Sequence, residues 1–105
     1  MIIDSHCHAG KGDGLTSPWD MAARLDKYLR HAARAGIART VLFAAFHADY
    51  AVPTREVARI VNRRLDKFYG CAFVHPERNR GRVAEMVREA VEQHGFVGIK
   101  VHLCR

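Results

Sequence analysis

The sequence predicts an α/β fold of four strand–helix units with a parallel sheet. Short apolar runs of strand length alternate with stretches of helical apolar spacing. The strand runs are nearly continuous in Val, Ile, Phe and Ala, as expected when both faces of a parallel sheet are covered. No Pro/Gly/Ser-rich linker or low-complexity segment interrupts residues 1–105, so one domain is expected, and a partial one if a barrel is meant. Units of this kind fit either a small open sheet or half of an eight-stranded barrel.

The first strand is Ile2 to His6, followed by a loop carrying Gly10, Gly12 and Gly14. Ser17-Pro18-Trp19-Asp20 then opens a helix: Ser17 is a good N-cap, Pro18 suits the first turn and Asp20 can complete a capping box. Met21, Leu25, Tyr28, Leu29 and Ala32 share one face, and Gly36 is a natural stop. The second strand is Thr40 to Phe46. Its helix begins near Pro53-Thr54 and buries Val57, Ile60, Val61, Leu65 and Phe68. The third strand is Tyr69 to Val74. The helix after it carries Val83, Met86, Val87, Ala90 and Val91 and ends at Gly95, and the fourth strand is Phe96 to Leu103.

Composition narrows the classes. Of 105 residues, 49% are hydrophobic and 27% charged, the balance of a globular protein. No apolar run approaches the ~20 residues that cross a bilayer, and Met1-Ile2-Ile3-Asp4 has no basic leader, so a cytoplasmic protein without a membrane partner is expected. Three widely spaced cysteines, Cys7, Cys71 and Cys104, argue against a disulfide framework. The formal charge of +6 is spread over the helical stretches with no basic block interleaved with aromatics, which weighs against a nucleic-acid partner.

The histidines carry the functional argument. His6 and His8 end strand one, His47 strand two, His75 strand three and His102 strand four. In a parallel α/β fold all strand C-termini lie on one face, where active sites are built. His6 and His8 are two apart on a strand, so both rings point one way and suit two positions of a divalent-metal shell. Asp4 shares their parity and is expected deeper on that face, orienting a ring or satisfying a backbone group. Cys7 points oppositely, away from the ligands. In strand four Val97, Ile99, Val101 and Leu103 form the helix-covered face, while Phe96, Gly98, Lys100 and His102 form the other. A lysine there is costly unless it meets an anionic group, so Lys100 is expected to bind a substrate carboxylate; an ion pair or a carboxylated, metal-ligating Lys100 is the alternative. His102, His47 and His75 are further candidates for substrate contact, though a loop histidine bonded to backbone explains the last two equally well. His31 and His94 read as solvated helix positions, and no residue is assigned a catalytic proton-transfer role.

Ile3-Asp4-Ser5-His6-Cys7-His8 resembles the opening of amidohydrolase-superfamily barrels, particularly the amidohydrolase-related branch with aminocarboxymuconate-semialdehyde decarboxylase-like enzymes. Phe73-Val74-His75-Pro76 and Gly98-Ile99-Lys100-Val101-His102 resemble the ends of strands three and four in that branch. The resemblance implies the N-terminal half of a (β/α)8 TIM barrel holding one or two divalent metals, usually zinc. It implies a hydrolase in which metal-activated water attacks an amide, ester or similar bond of a small molecule. In that family further histidine ligands come from strands five and six and an aspartate from strand eight, none of which this chain contains. Two histidines are fewer than the three protein ligands usual for catalytic zinc. Four parallel strands also leave two open edges and an uncovered inner face. The expectation is therefore a fragment, inactive alone, that needs a missing C-terminal half or a second half-barrel in a homo-oligomer. A vestigial half-barrel binding module, a decarboxylase and a nuclease of the TatD kind are the alternatives. The last is disfavoured because Lys100 or His102 stands where that family places a glutamate on strand four.

Overall fold

A computed structural model describes residues 1–11 and 25–101. Four strands, β1 (Ile2–Ala9), β2 (Ile37–Ala44), β3 (Phe68–Val74) and β4 (Gly98–Val101), lie in the order β1-β2-β3-β4, every pair parallel. Between them run α1 (Leu25–Arg34), α2 (Ala51–Arg63) and α3 (Val83–Arg88), the last continuing into a π-helical turn over Glu89–Gln93. Sequential parallel strands with intervening helices make this half of a (β/α)8 barrel. The expected helix start at Ser17-Pro18 and the residues Gly12, Gly14, Met21, His102, Leu103 and Cys104 lie outside the described residues.

The strand faces are unequal. Thr40, Leu42 and Ala44 are buried under the helical layer, with Phe68, Ala72 and Val74 beside them on β3. Val57, Ala58 and Val61 of α2, with Met86 and Ala90, close this into one apolar core. On the opposite, inner face of the sheet, Val41 and Phe43 are only half-buried. Strand two is thus covered fully on one face and partly on the other.

The helix stops are as expected: Gly36 and Gly95 take positive φ (72° and 65°), which glycine adopts without steric cost. Some apolar assignments fail. α2 ends at Arg63, so Leu65 falls in a turn and is 62% exposed, while Phe68 is the first, buried residue of β3. Val91 is 52% exposed because the π-helical turn rotates it off the core face. His94 is not a solvated position: the same turn brings it 3.4 Å from Glu89 Oε1. Phe96 precedes β4 and is buried in the core rather than facing the inner side.

Phe96 is seated over Gly70 of β3, whose backbone oxygen accepts the Val97 N–H at 2.9 Å. A Cβ at position 70 would overlap the Phe96 ring. Gly70→Ala should therefore displace that ring and loosen the entry to β4, costing about 1–3 kcal/mol from overpacking. A urea midpoint unchanged from the parent would contradict this packing.

Candidate metal and anion site

β1 does not run as a regular strand. Asp4 pairs with Thr40 and Cys7 with Leu42, so three steps along β1 match two along β2. This is a bulge at Ser5 and His6. It returns His6 and His8 to the inner face but leaves Asp4 with Thr40 on the helix side. Asp4 therefore does not lie beneath the histidines, as strand parity predicts. One of its oxygens accepts the His6 N–H at 3.1 Å and the other accepts the Tyr28 hydroxyl at 2.7 Å. Of the two roles considered for it, the backbone one is the one observed. Burial first, with Asp4 adding to it, pushes the Tyr28 pKa up to about 12 although its bond to Thr40 opposes the shift, so the phenol stays a donor. Cys7 faces the helices, and its thiol is pushed up by burial and then by Asp4.

At the end of β1 the two imidazoles converge, with Nε2 of His6 3.0 Å from Nε2 of His8. The other nitrogen of His8, Nδ1, lies 2.7 Å from the Ala44 carbonyl oxygen, which can only accept. Nδ1 of His8 is thus the protonated nitrogen, and its Nε2 carries a lone pair. Lys100 Nζ, which can only donate, stands 3.4 Å from Nε2 of His6. Two lone pairs facing each other at this distance repel unless a proton or cation lies between them. Two ligands of a tetrahedral zinc at roughly 2.0–2.1 Å would sit about 3.3 Å apart, close to the separation seen. The Nδ1–H···O=C bond of His8 is the support that metal-bound histidines usually have. The donor chemistry at His6 and His8 fits two positions of a divalent-metal shell. Among the described residues no group of three His, Cys, Asp or Glu side chains comes together for a metal. Desolvation, then the Lys100 ammonium, then His8 lower the pKa of His6 from its ordinary 6.5, against a smaller raising effect of Asp4.

Lys100 is carried on β4 opposite Phe73, on the inner face as strand alternation predicts. Its ammonium lies 5.4 Å from the Phe43 ring centre and 5.5 Å from that of Phe73. The His6 ring packs on Phe43 at 4.6 Å, and the His8 ring stacks on Phe46 at 5.8 Å. Phe73 is fully buried, stacked on Tyr50 at 4.3 Å. An aromatic floor therefore underlies two imidazoles and one ammonium. Sequence reasoning did not assign Phe43 and Phe73 to the site. The signal was their alternation within each strand, but the cross-strand register that seats them under Lys100 is not written in either strand alone.

His47 and His75 each bond to the backbone or side chains of the loop that follows them. Nδ1 of His47 accepts the Asp49 N–H at 2.9 Å, within the turn that leads to α2. His75 is buried; its N–H donates to Asn79 Oδ1 at 2.8 Å and its Nδ1 accepts the Arg78 N–H at 3.3 Å. Both rings thus carry their proton on Nε2, opposite to His8, and would offer a donor rather than a lone pair from that atom.

No family model matches the chain, and no curated protein matches its sequence. Among solved structures, the crystal structure of 4-oxalomesaconate hydratase from Rhodopseudomonas palustris matches with a TM-score of 0.65 over 94% of this chain, at 19% sequence identity. The likeness is one of fold. The present chain spans 40% of the length of that hydratase chain. Among the described residues no helix is long and apolar enough to cross a membrane.

Proposed function

We propose that these four βα units are the first half of a metal-dependent hydrolase barrel of the amidohydrolase kind, whose His6 and His8 hold a divalent metal, zinc in the first place. The observation that carries this reading is the approach of the two Nε2 atoms, with His8 Nδ1 committed to the Ala44 carbonyl. The bound ion would supply Lewis-acid polarisation and acidify water near neutral pH. His8 is held in the tautomer that keeps Nε2 available, and the lowered His6 pKa keeps that ring neutral below the usual range. Phe43, Phe46 and Phe73 exclude water from one side of the pair and strengthen the electrostatics there. Lys100, beside His6, would hold the anionic group of a small-molecule substrate. The remaining ligands and the proton-transfer group would come from the other half of the barrel, whether a C-terminal continuation or a second half-barrel. The fold neighbour is named a hydratase, so addition of water stands beside hydrolysis as a second reading, and analysis of products distinguishes them.

The direct test is zinc titration of the chain at neutral pH by calorimetry. One zinc per molecule is expected, and absence of both heat and retained metal would overturn the proposal. In the completed barrel, Lys100→Ala should raise KM for an anionic substrate about tenfold or more, the worth of a hydrogen bond to a charged group. Zinc content should stay as in the parent. Equal loss of metal and substrate binding would instead make Lys100 a carboxylated ligand.

A further inference from the structure

The structure assigns Asp4, with Tyr28 behind it, the part of positioning residues that hold the β1 bulge and thereby aim His6 at the metal. This rests on the reading of His6 and His8 as ligands. A bulge takes residues out of the ladder; here Ser5 and His6 have no register partner on β2 between Thr40 and Leu42. Asp4 Oδ1 takes the His6 N–H at 3.1 Å. Its other oxygen accepts from Tyr28 of α1 at 2.7 Å, and Tyr28 meets the Thr40 hydroxyl at 2.6 Å. The phenol has one proton and Asp4 only acceptors, so the directions are set: Thr40 donates to Tyr28, and Tyr28 donates to Asp4. Thr40 is buried, so the chain of bonds is anchored in the sheet at one end and in the first helix at its middle.

The geometric consequence falls on His6. On a regular strand Asp4, His6 and His8 would all face the inner side. The carboxylate would then crowd the ligand pair, and the path of the chain at His6 would be set by ordinary pairing. With the bulge held, Asp4 is withdrawn to the helix side and the His6 ring reaches within 3.0 Å of His8. Take the carboxylate away and the His6 N–H loses its acceptor, so nothing local resists return of β1 to regular pairing. His8 lies beyond the bulge in regular register with Phe43 and keeps its own bond to Ala44. The device acts on one ligand of the two.

The test is zinc titration of the full chain in four forms: parent, Asp4→Ala, Asp4→Asn and Tyr28→Phe. Asp4→Ala should weaken zinc binding about tenfold or more, the scale known for groups that orient metal ligands. Asp4→Asn should recover most of this, because its amide oxygen still accepts the His6 N–H, and Tyr28→Phe should fall between. In the metal-free protein, the ring signals of His6 in a 1H–15N spectrum should move in Asp4→Ala while those of His8 stay, a selectivity that general loss of stability would not produce. A parent that binds no zinc overturns the ligand reading. A parent that binds zinc beside an Asp4→Ala protein that binds equally tightly overturns the positioning role. Should Asp4→Ala not fold, Tyr28→Phe decides by the same comparison of affinity and of His6 against His8 signals.

Discussion

A protein with both His6 and His8 replaced by alanine should hold no stoichiometric zinc. Each ring supplies one Nε2, and the described residues offer no third metal-binding side chain to take over. Metal content after dialysis, with calorimetric titration, reads the effect, and apparent affinity should fall at least about a hundredfold, since both proposed ligands are gone. His6 is exposed and His8 half-buried on the inner face, so the circular dichroism of the double variant should match the parent. Unchanged metal content would sink the assignment. The direction of the His6 shift sets the pH dependence. Protons and metal compete for Nε2, and a pKa lowered from 6.5 means that the ring stays neutral to lower pH than a free imidazole. Zinc should therefore be released as acidification protonates Nε2, with the proton competing less strongly there than at a free imidazole.

Phe73→Ala should be the most damaging single change to the fold. The side chain has 0% exposure, stacks on Tyr50 at 4.3 Å and touches the Phe46 and His8 rings at 6.1 and 6.5 Å between centres. Removing a buried phenyl costs about 3–5 kcal/mol, part transfer and part cavity. A domain of this size has roughly 5–15 kcal/mol in all, so the variant should be largely unfolded well below the parent's denaturation midpoint. The effect should also reach the site, because Lys100 and His8 lose the surface that limits their motion. Phe43→Ala, at a half-buried position on the same face, should cost distinctly less. Equal midpoints for the Phe73→Ala protein and the parent in urea would refute the role given to this ring.

The features legible in the sequence obey rules that act over a few residues. Gly36 and Gly95 mark helix ends because only positive φ lets the chain turn there, and that need is local. Lys100 is placed on the inner face by simple alternation along β4, and His6 and His8 by their spacing on β1. Asp4 escaped because period-two reasoning assumes an unbroken ladder, and a bulge inverts every parity on its far side. Leu65 and Phe68 were drawn into α2 because the apolar spacing continues past Arg63. The break comes at Arg64, with φ −142° and ψ 60°, whose conformation no residue type announces. The aromatic floor and the hydrogen-bonded rings of His47 and His75 depend on strand register and loop path, which are properties of the assembled sheet.

The wide turn at Glu89–Gln93 makes the count of residues before β4 a constraint in its own right. His94 N–H reaches back to Glu89 and Phe96 N–H to Ala90, so the chain takes up extra length there before Gly95 reverses it. Deleting one residue between Arg88 and Gly95 would let the α-helical pitch run on, rotating the downstream chain by about 100°. Phe96 would then arrive away from Gly70, and Lys100 would be delivered out of phase with Phe73. Substitutions on the exposed side of this stretch should be tolerated widely, whereas a change in its length would be felt some way off, at the ammonium beside His6.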